Sequence, residues 1–235
     1  MSDFFKIEDL STGYSSDAMA IRNINLAIPK GKLAVVLGSN GAGKTTLLKA
    51  IMGILPAYTG QVFLGSSNLT KAPTEQRAAA GIGYVPQGRF IFPQLTVEQN
   101  LVLGCEVKKM KLSQAREIGY SFFPALAEIA GRKGGMLSGG QQQQLAIARM
   151  LVASPSLLIL DEPAEGIQPN IVQEIGRILT QVSQQMGITV LLVEQFVSFA
   201  LNIADVYYFM QSGSLSPQTI INQSNRQQII EGITI

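Results

Sequence analysis

The stretch GSNGAGKTT, residues Gly38–Thr46, follows the apolar run LAVVL and precedes a segment with helical spacing. It fits the pattern G-x-x-x-x-G-K-[ST] in the strand–loop–helix context that makes a phosphate-binding loop credible. Its glycines let the backbone turn tightly and bring N–H groups against phosphate oxygens, and the helix start adds a partial positive charge. Lys44 is expected to reach the β- and γ-phosphates of a nucleotide, and the Thr45 hydroxyl to bind Mg²⁺.

A second uncharged strand, LLIL, ends in adjacent carboxylates, Asp161 and Glu162. Since neighbouring residues of a strand point to opposite faces, one carboxylate can face a metal ion while the other faces a different target. We assign Asp161 to the Mg²⁺ side, acting through water. Glu162 is expected to polarise the attacking water. Together with the phosphate loop, this pair predicts nucleotide hydrolysis.

A third segment, LSGGQQQQLAIARMLV, combines a small-residue turn with an amphipathic helix. Ser138 can cap that helix, and two glycines leave its first N–H groups free to meet an anion. A simple helix cap explains the serine. It does not explain why a chain that already has one anion-binding helix start has a second.

Alternating strand and helix patterns predict an α/β fold with a mainly parallel sheet. Short strand patterns at the beginning of the chain, FFKIEDL and AIRNINLAI, predict an N-terminal antiparallel β lobe. The mainly helical block between them and the later strands reads as an insertion. We therefore predict one domain over 1–235, with residues 1–87 and 155–235 forming the nucleotide-binding core and residues 88–154 a helical subdomain.

Composition excludes several alternatives. The net charge of +2 gives no basic footprint for nucleic acid, and the single Cys105 suits a reducing compartment. No window approaches the roughly 20 apolar residues that span a bilayer. The charges within MSDFFKIEDL leave no apolar core for a secretory leader, so we expect a cytoplasmic protein.

These motifs resemble the ATP-binding subunits of ABC transporters over essentially the whole chain. GSNGAGKTT is similar to their Walker A motif, LLILDEP to Walker B, LSGGQ to the signature motif and YVPQGR to the Q-loop. The resemblance implies the P-loop fold of ABC ATPases, ATP hydrolysis with Mg²⁺, and two ATPs sandwiched in a head-to-tail dimer. Each site would use the phosphate loop of one chain and the signature motif of the other, which accounts for two anion-binding helix starts.

Carried over residue by residue, the resemblance predicts a site of four parts. The catalytic residues are Glu162, Lys44 and Gln195, and the Mg²⁺ ligands are Thr45, Gln87 and Asp161. Tyr14 would stack on adenine, although a position in the core would also suit a tyrosine. The other ATP contacts from the same chain are Gly38, Ser39, Asn40, Gly41, Ala42, Gly43, Lys44, Thr45, Thr46 and Gln87. Contacts from the second chain are Ser138, Gly139, Gly140 and Gln141.

Further stretches resemble one uptake subfamily, that for branched-chain amino acids and urea: GYVPQGRFIFPQLTVEQNL, DEPAEGIQPNIVQEIG and LLVEQFVSFALNIAD. Within it, SGGQQQQLAIAR and EGIQPNI are most similar to the urea-transporter subunit, with branched-chain amino acid uptake as the alternative. The implied partners are membrane subunits, a second ATP-binding subunit (the same chain or a related one) and, indirectly, a periplasmic substrate-binding protein. The implied location is the cytoplasmic face of the inner membrane, as a peripheral subunit.

Two departures from the family pattern keep other functions open. The chain has no histidine, and Gln195 stands where most members have one that touches the γ-phosphate. AEGIQP, residues 164–169, replaces a Ser-Ala-Leu-Asp segment that crosses the dimer interface. These changes motivate an ATP-dependent clamp with little hydrolysis, against which Glu162 argues. A soluble ABC ATPase of translation or repair is the other rival, but the chain lacks a second nucleotide domain, a long coiled-coil insertion and a basic surface.

Overall fold

The protein consists of two sheets and a group of helices. The computed structural model describes residues 3–15, 18–106, 109–222, 225–227 and 229. The strands are β1 (Asp3–Ser15), β2 (Ala18–Pro29), β3 (Leu33–Leu37), β4 (Thr59–Leu64), β5 (Ser67–Asn68), β6 (Ile82–Val85), β7 (Leu157–Asp161), β8 (Thr189–Glu194), β9 (Val206–Gln211), β10 (Ser214–Leu215) and β11 (Thr219–Ile220). The α-helices are α1 (Lys44–Ile51), α2 (Thr74–Ala79), α3 (Val97–Cys105), α4 (Leu112–Phe122), α5 (Ala125–Glu128), α6 (Gly139–Val152), α7 (Pro169–Met186) and α8 (Val197–Ile203). A single 3₁₀ turn, Gly134–Met136, precedes α6.

The first sheet is antiparallel and has the order β2-β1-β4-β5. In the first part of β1, Phe5 and Ile7 are buried and Lys6 between them is exposed, whereas residues 10–13 are all buried. Such alternation is typical of an antiparallel sheet with one covered face. The predicted antiparallel β lobe is confirmed.

The second sheet has the order β10-β9-β3-β8-β7-β6, with β11 on β9. Its strands β9, β3, β8, β7 and β6 run parallel. Strands β3, β7 and β8 are buried along their whole length, which explains their uninterrupted apolar sequences. In the register, Leu37 pairs with Glu194 and Asp161 with Val193, so the loops after β3, β7 and β8 meet at one edge.

Helices α3 to α6 form the helical part of the molecule and share one apolar core with a face of the parallel sheet. Capping boxes at Thr96 and Ser138 begin α3 and α6, as Ser138 was predicted to do. The continuous helical pattern LSQAREIGYSFFPALAEIA is interrupted after Phe122, because Pro124 cannot continue a helix from the preceding residues. The mainly parallel sheet with an antiparallel lobe and a helical insertion agrees with the predicted fold class.

Within the described residues, no helix combines the length and apolar character required to cross a bilayer.

Candidate functional site

The loop 38–43 joins β3 to α1 and depends on glycine at two positions. Gly43, the residue before α1, has φ 112°, and a Cβ there would lie 2.9 Å from Ile21 Cγ2 and from Met210 Cε. At Gly38 a Cβ would lie 2.5 Å from the carbonyl oxygen of Met210. The backbone contact at Gly38 and the positive φ at Gly43 both disfavour a side chain, and glycine at these positions lets the loop pack directly on β9.

A cavity of about 170 Å³ lies at this loop, bounded by the start of α1 and two residues from other segments. Its lining residues are Asn40, Gly41, Gly43, Lys44, Thr45, Thr46, Gln87 and Glu162. The N–H groups of the first turn of α1 have no partners within the helix, so the cavity suits phosphate oxygens. Of the remaining predicted loop residues, Gly38 and Ser39 contact Lys44 through their carbonyl groups, and buried Ala42 accepts a hydrogen bond from Gly213 N–H at 2.9 Å.

Lys44 is the cationic centre of the site and is only 4% exposed. Its Nζ donates to the carbonyl oxygens of Gly38 at 2.7 Å and Ser39 at 3.0 Å. It also forms an ion pair with Glu162 Oε1 at 3.1 Å. A buried charge requires such compensation, and here the chain itself supplies it.

Glu162 is the point on which the polar side chains converge. Its Oε2 accepts hydrogen bonds from Gln87 Nε2 and from Gln195 Nε2, each at 3.3 Å. Gln87 donates from the same nitrogen to Glu165 Oε2 at 2.8 Å. The structure therefore brings together Lys44, Glu162, Gln87 and Gln195, which come from four separate segments.

Glu162 lies just beyond β7 and has φ 46°, in the left-handed region. The sequence predicts that Asp161 and Glu162 point to opposite faces of a strand. That argument does not apply to Glu162, because this residue lies outside the strand. The left-handed turn sets its direction instead, supported by the hydrogen bond from its N–H to the carbonyl of Val193 at 2.9 Å. A non-glycine residue in this conformation carries strain of roughly 1 kcal/mol or more, and such strain concentrates at functional sites.

Asp161 is 2% exposed and has one oxygen without a partner. Its Oδ2 accepts from the Tyr84 hydroxyl at 3.3 Å, whereas Oδ1 has no hydrogen bond in the described part of the chain. Burial, followed by repulsion from Glu162, raises the pKa of Asp161 from 3.8 to about 6. Burial, followed by the nearby carboxylate of Asp161, raises the pKa of the Tyr84 hydroxyl.

The unpartnered Asp161 Oδ1 fits a Mg²⁺ site, because this ion prefers oxygen ligands. No group of three or more His, Cys, Asp and Glu side chains suited to a metal occurs among the described residues. Mg²⁺ is commonly held by one or two carboxylates together with waters and substrate phosphates. Thr45, exposed in the cavity wall, and Gln87 are the other oxygen donors at hand.

Ser138, Gly139, Gly140 and Gln141 begin α6 and do not line the cavity at the phosphate loop. The Ser138 hydroxyl accepts from Gln141 N–H at 3.3 Å, and the Gln141 side chain accepts from Ser138 N–H at 3.0 Å. Tyr14 lies on β1 with 71% of its surface exposed, so it is not the core tyrosine that the sequence left open. A ligand can therefore reach its ring.

Three acidic or phenolic residues of the site lack a predicted role. Glu165 accepts from Gln87, Tyr84 donates to Asp161, and Glu194 accepts backbone hydrogen bonds from both neighbouring loops. Sequence signals exist for two of them: Tyr84 is in YVPQ, three residues before Gln87, and Glu194 directly precedes Gln195 at the end of an uncharged run.

A family model described as ABC transporter matches residues 21–165. The high-affinity branched-chain amino acid transport ATP-binding protein BraG of Pseudomonas aeruginosa is 35% identical over 212 residues, covering 88% of this chain and 89% of that protein. A probable branched-chain amino acid transport ATP-binding protein, LivF, of Archaeoglobus fulgidus is 36% identical over 208 residues and covers 88% of each chain.

Among solved structures, a dimeric, post-hydrolysis form of an ATP-binding cassette bound to ADP and phosphate superposes with a TM-score of 0.83. Its sequence identity is 23%, and the match covers 93% of this chain and 99% of that one. At this identity the likeness establishes the fold.

Proposed function

The chain belongs to the ATP-binding, ATP-hydrolysing subunits of ABC transporters, and from that premise we propose that it powers a membrane importer for urea. The observation that carries the ATPase part is the convergence of Lys44, Gln87 and Gln195 on Glu162 beside the phosphate-loop cavity. The cargo part rests on sequence segments alone and is tested separately below.

We assign Glu162 as the general base. In the structure its two oxygens already accept from Lys44, Gln87 and Gln195, which leaves little capacity for a water molecule. The β- and γ-phosphates of ATP compete for Lys44 Nζ, and this competition frees Glu162 Oε1. The water then attacks the γ-phosphorus, its proton passes to Glu162, and the bond between the γ-phosphorus and the leaving oxygen of ADP breaks.

Gln195 serves as a neutral donor to the γ-phosphate. Its amide lies 3.3 Å from Glu162 Oε2, and on ATP binding we expect a phosphate oxygen to replace the carboxylate as its acceptor. An amide cannot shuttle a proton at neutral pH. The proton of the attacking water therefore goes to Glu162.

Thr45, Gln87 and Asp161 would hold Mg²⁺, which neutralises charge on the β- and γ-phosphates when bound. The buried, unpartnered Asp161 Oδ1 supports this assignment. Tyr14 supplies an exposed ring for adenine.

The second half of each ATP site comes from another ATP-binding subunit. Ser138–Gln141, at the start of α6, do not line the phosphate-loop cavity of their own chain, which is compatible with a contribution in trans. The similar cassette bound to ADP and phosphate is itself dimeric. The AEGIQP segment replaces the usual interface aspartate, so the pair is held differently there, and a related second chain would make the two sites unequal.

The membrane subunits are expected to bind near Gln87, at the cytoplasmic face. Gln87 lies between the parallel sheet and the helical part, and the next residues expose two aromatic rings, Phe90 at 67% and Phe92 at 50%. Arg149 of α6 donates to the Phe90 carbonyl at 2.8 Å and lies 5.3 Å from the Phe92 ring centroid. The segment after the nucleotide ligand Gln87 is thereby joined to the helix that begins with the signature motif.

The cargo is assigned from two stretches, SGGQQQQLAIAR and EGIQPNI, that resemble urea-transporter subunits. The similarity to BraG and LivF supports the alternative cargo, branched-chain amino acids, and not urea. A substrate-binding protein in the periplasm would select the cargo in either case.

Disruption of the gene followed by uptake of labelled urea and labelled leucine decides between them. Loss of urea uptake alone supports the proposal, and re-expression of the wild-type chain must restore it. Loss of leucine uptake alone assigns the importer to amino acids. Retention of both with intact ATPase activity favours a role outside transport.

A further inference from the structure

Glu194 is a completely buried carboxylate between the two loops that carry Glu162 and Gln195. It ends β8, and its relative exposure is 0%. Its Oε1 accepts from Ala164 N–H at 3.0 Å, while Oε2 accepts from Gln195 N–H at 3.0 Å and Phe196 N–H at 3.3 Å. One side chain thus holds the backbone on both sides of the cluster.

The position of Glu194 in the sheet explains this reach. β8 lies between β3 and β7, and Glu194 pairs with Leu37, the last residue before the phosphate loop. On the other side, Val193 pairs with Asp161 and accepts from Glu162 N–H. Glu194 therefore lies at the strand end common to all three loops of the site.

We propose that Glu194 is a positioning residue for ATP hydrolysis, which fixes Gln195 relative to Glu162 by bridging Ala164 to Gln195 and Phe196. The proposal rests on the roles of Glu162 and Gln195 proposed above. Glu194 itself has both oxygens occupied by backbone donors and lies outside the cavity lining, so it acts through the two loops.

The donor pattern makes glutamine a sharp test. All three partners of Glu194 are N–H donors, and only a carboxylate offers acceptors on both atoms. In Glu194→Gln the amide –NH₂ must face either Ala164 N–H or the Gln195 and Phe196 pair. One loop loses its tether, although the volume of the side chain is unchanged.

The experiment compares the wild-type full-length chain with Glu194→Gln, Gln195→Ala and the double variant, measuring kcat, the KM for ATP and the thermal midpoint. Since a displacement of about 1 Å can reduce turnover by about 100-fold, Glu194→Gln is expected to lower kcat by about 10- to 100-fold. The phosphate loop is intact, so the KM for ATP is expected to stay within about twofold. In the Gln195→Ala background, Glu194→Gln should have much less effect, because the group it positions is gone.

Ser183→Ala is the matched control, because it removes a buried side-chain hydrogen bond, to the Gly31 carbonyl at 2.8 Å, away from the site. It should lower the thermal midpoint without changing kcat. Wild-type kcat in Glu194→Gln overturns the proposal. Three other results overturn it as well. The losses of kcat in Glu194→Gln and Gln195→Ala could add fully in the double variant, or Gln195→Ala could keep wild-type turnover. Ser183→Ala, at the same drop in thermal midpoint as Glu194→Gln, could also lose as much kcat. Glu162→Gln, assayed in parallel, reports separately on the assigned base.

Discussion

Replacing Asp161 by asparagine should stabilise the chain in Mg²⁺-free buffer while removing Mg²⁺-dependent hydrolysis. The pKa of the folded carboxyl is raised from 3.8 to about 6, mainly by burial. The folded chain therefore binds this proton more tightly than the unfolded chain, and the free energy of unfolding falls as pH rises through this range. Protonated Asp161 makes its full contribution to the free energy of unfolding below pH 3.8, and this contribution is lost above about pH 6.

The expected magnitude follows from the two pKa values. A difference of about two pKa units, at 1.36 kcal/mol each, is about 3 kcal/mol at pH 7.5. Asparagine carries no charge, keeps a polar atom for the Tyr84 hydroxyl and avoids this cost. For a chain of this length the gain corresponds to a thermal midpoint about 6–12 °C higher. At pH 5 the advantage should fall to about half, because folded Asp161 is then mostly protonated.

Thermal unfolding of both proteins in EDTA at pH 7.5 and pH 5 measures this effect, and phosphate release with Mg²⁺ and ATP measures the functional loss. Asp205→Asn is the control with the opposite sign. The Asp205 carboxylate is satisfied by Lys32 Nζ at 3.0 Å and Leu33 N–H at 2.9 Å, so its loss should destabilise. The reasoning would be refuted if Asp161→Asn were less stable than wild type at pH 7.5, or if its gain in thermal midpoint over wild type were the same at pH 7.5 and pH 5.

Three further predictions concern the phosphate site. Glu162→Gln should retain ATP binding and lose about 10²- to 10⁴-fold in kcat, which is the usual contribution of a general base. Size-exclusion chromatography should find an ATP-trapped dimer of this variant. Wild-type phosphate release would show that Glu162 is not the general base. Gln195→Ala should be impaired in the assembled complex and Gln195→His largely active, because both glutamine and histidine can donate to the γ-phosphate; equal rates in all three would make Gln195 structural. Gly43→Ala should weaken ATP binding measured by calorimetry, since its φ of 112° disfavours a side chain and a Cβ would crowd Ile21 Cγ2 and Met210 Cε at 2.9 Å. An alanine variant with normal affinity would contradict the loop geometry.

The phosphate loop was predictable from the sequence because its chemistry is local. The glycines, Lys44 and Thr45 are contiguous, and the adjoining strand and helix are visible as patterns in the same stretch. The Ser138 cap is local in the same sense, since its partner Gln141 is three residues away. For such segments the sequence supplies both the residue types and their spacing.

The contacts that connect the loops were not predictable in this way, because they depend on strand order. Tyr84 meets Asp161 across 77 positions of sequence, and Glu194 meets Ala164 across 30. Both contacts need the parallel neighbours β6-β7-β8 in their observed register. The left-handed backbone of Glu162 is equally hidden, because no glycine or asparagine signals it.

The absence of histidine has a consequence for how the site can respond to the nucleotide. Gln87 and Gln195 both donate to Glu162 Oε2, and amides do not titrate in the neutral range. Lys44 and Glu162 are the two charged side chains that line the phosphate-loop cavity. If Glu162 is the base, as proposed above, we expect ATP binding to break the Lys44–Glu162 ion pair before hydrolysis begins. We therefore expect control of hydrolysis to lie in the exchange of this buried ion pair for a lysine–phosphate contact, with no imidazole involved.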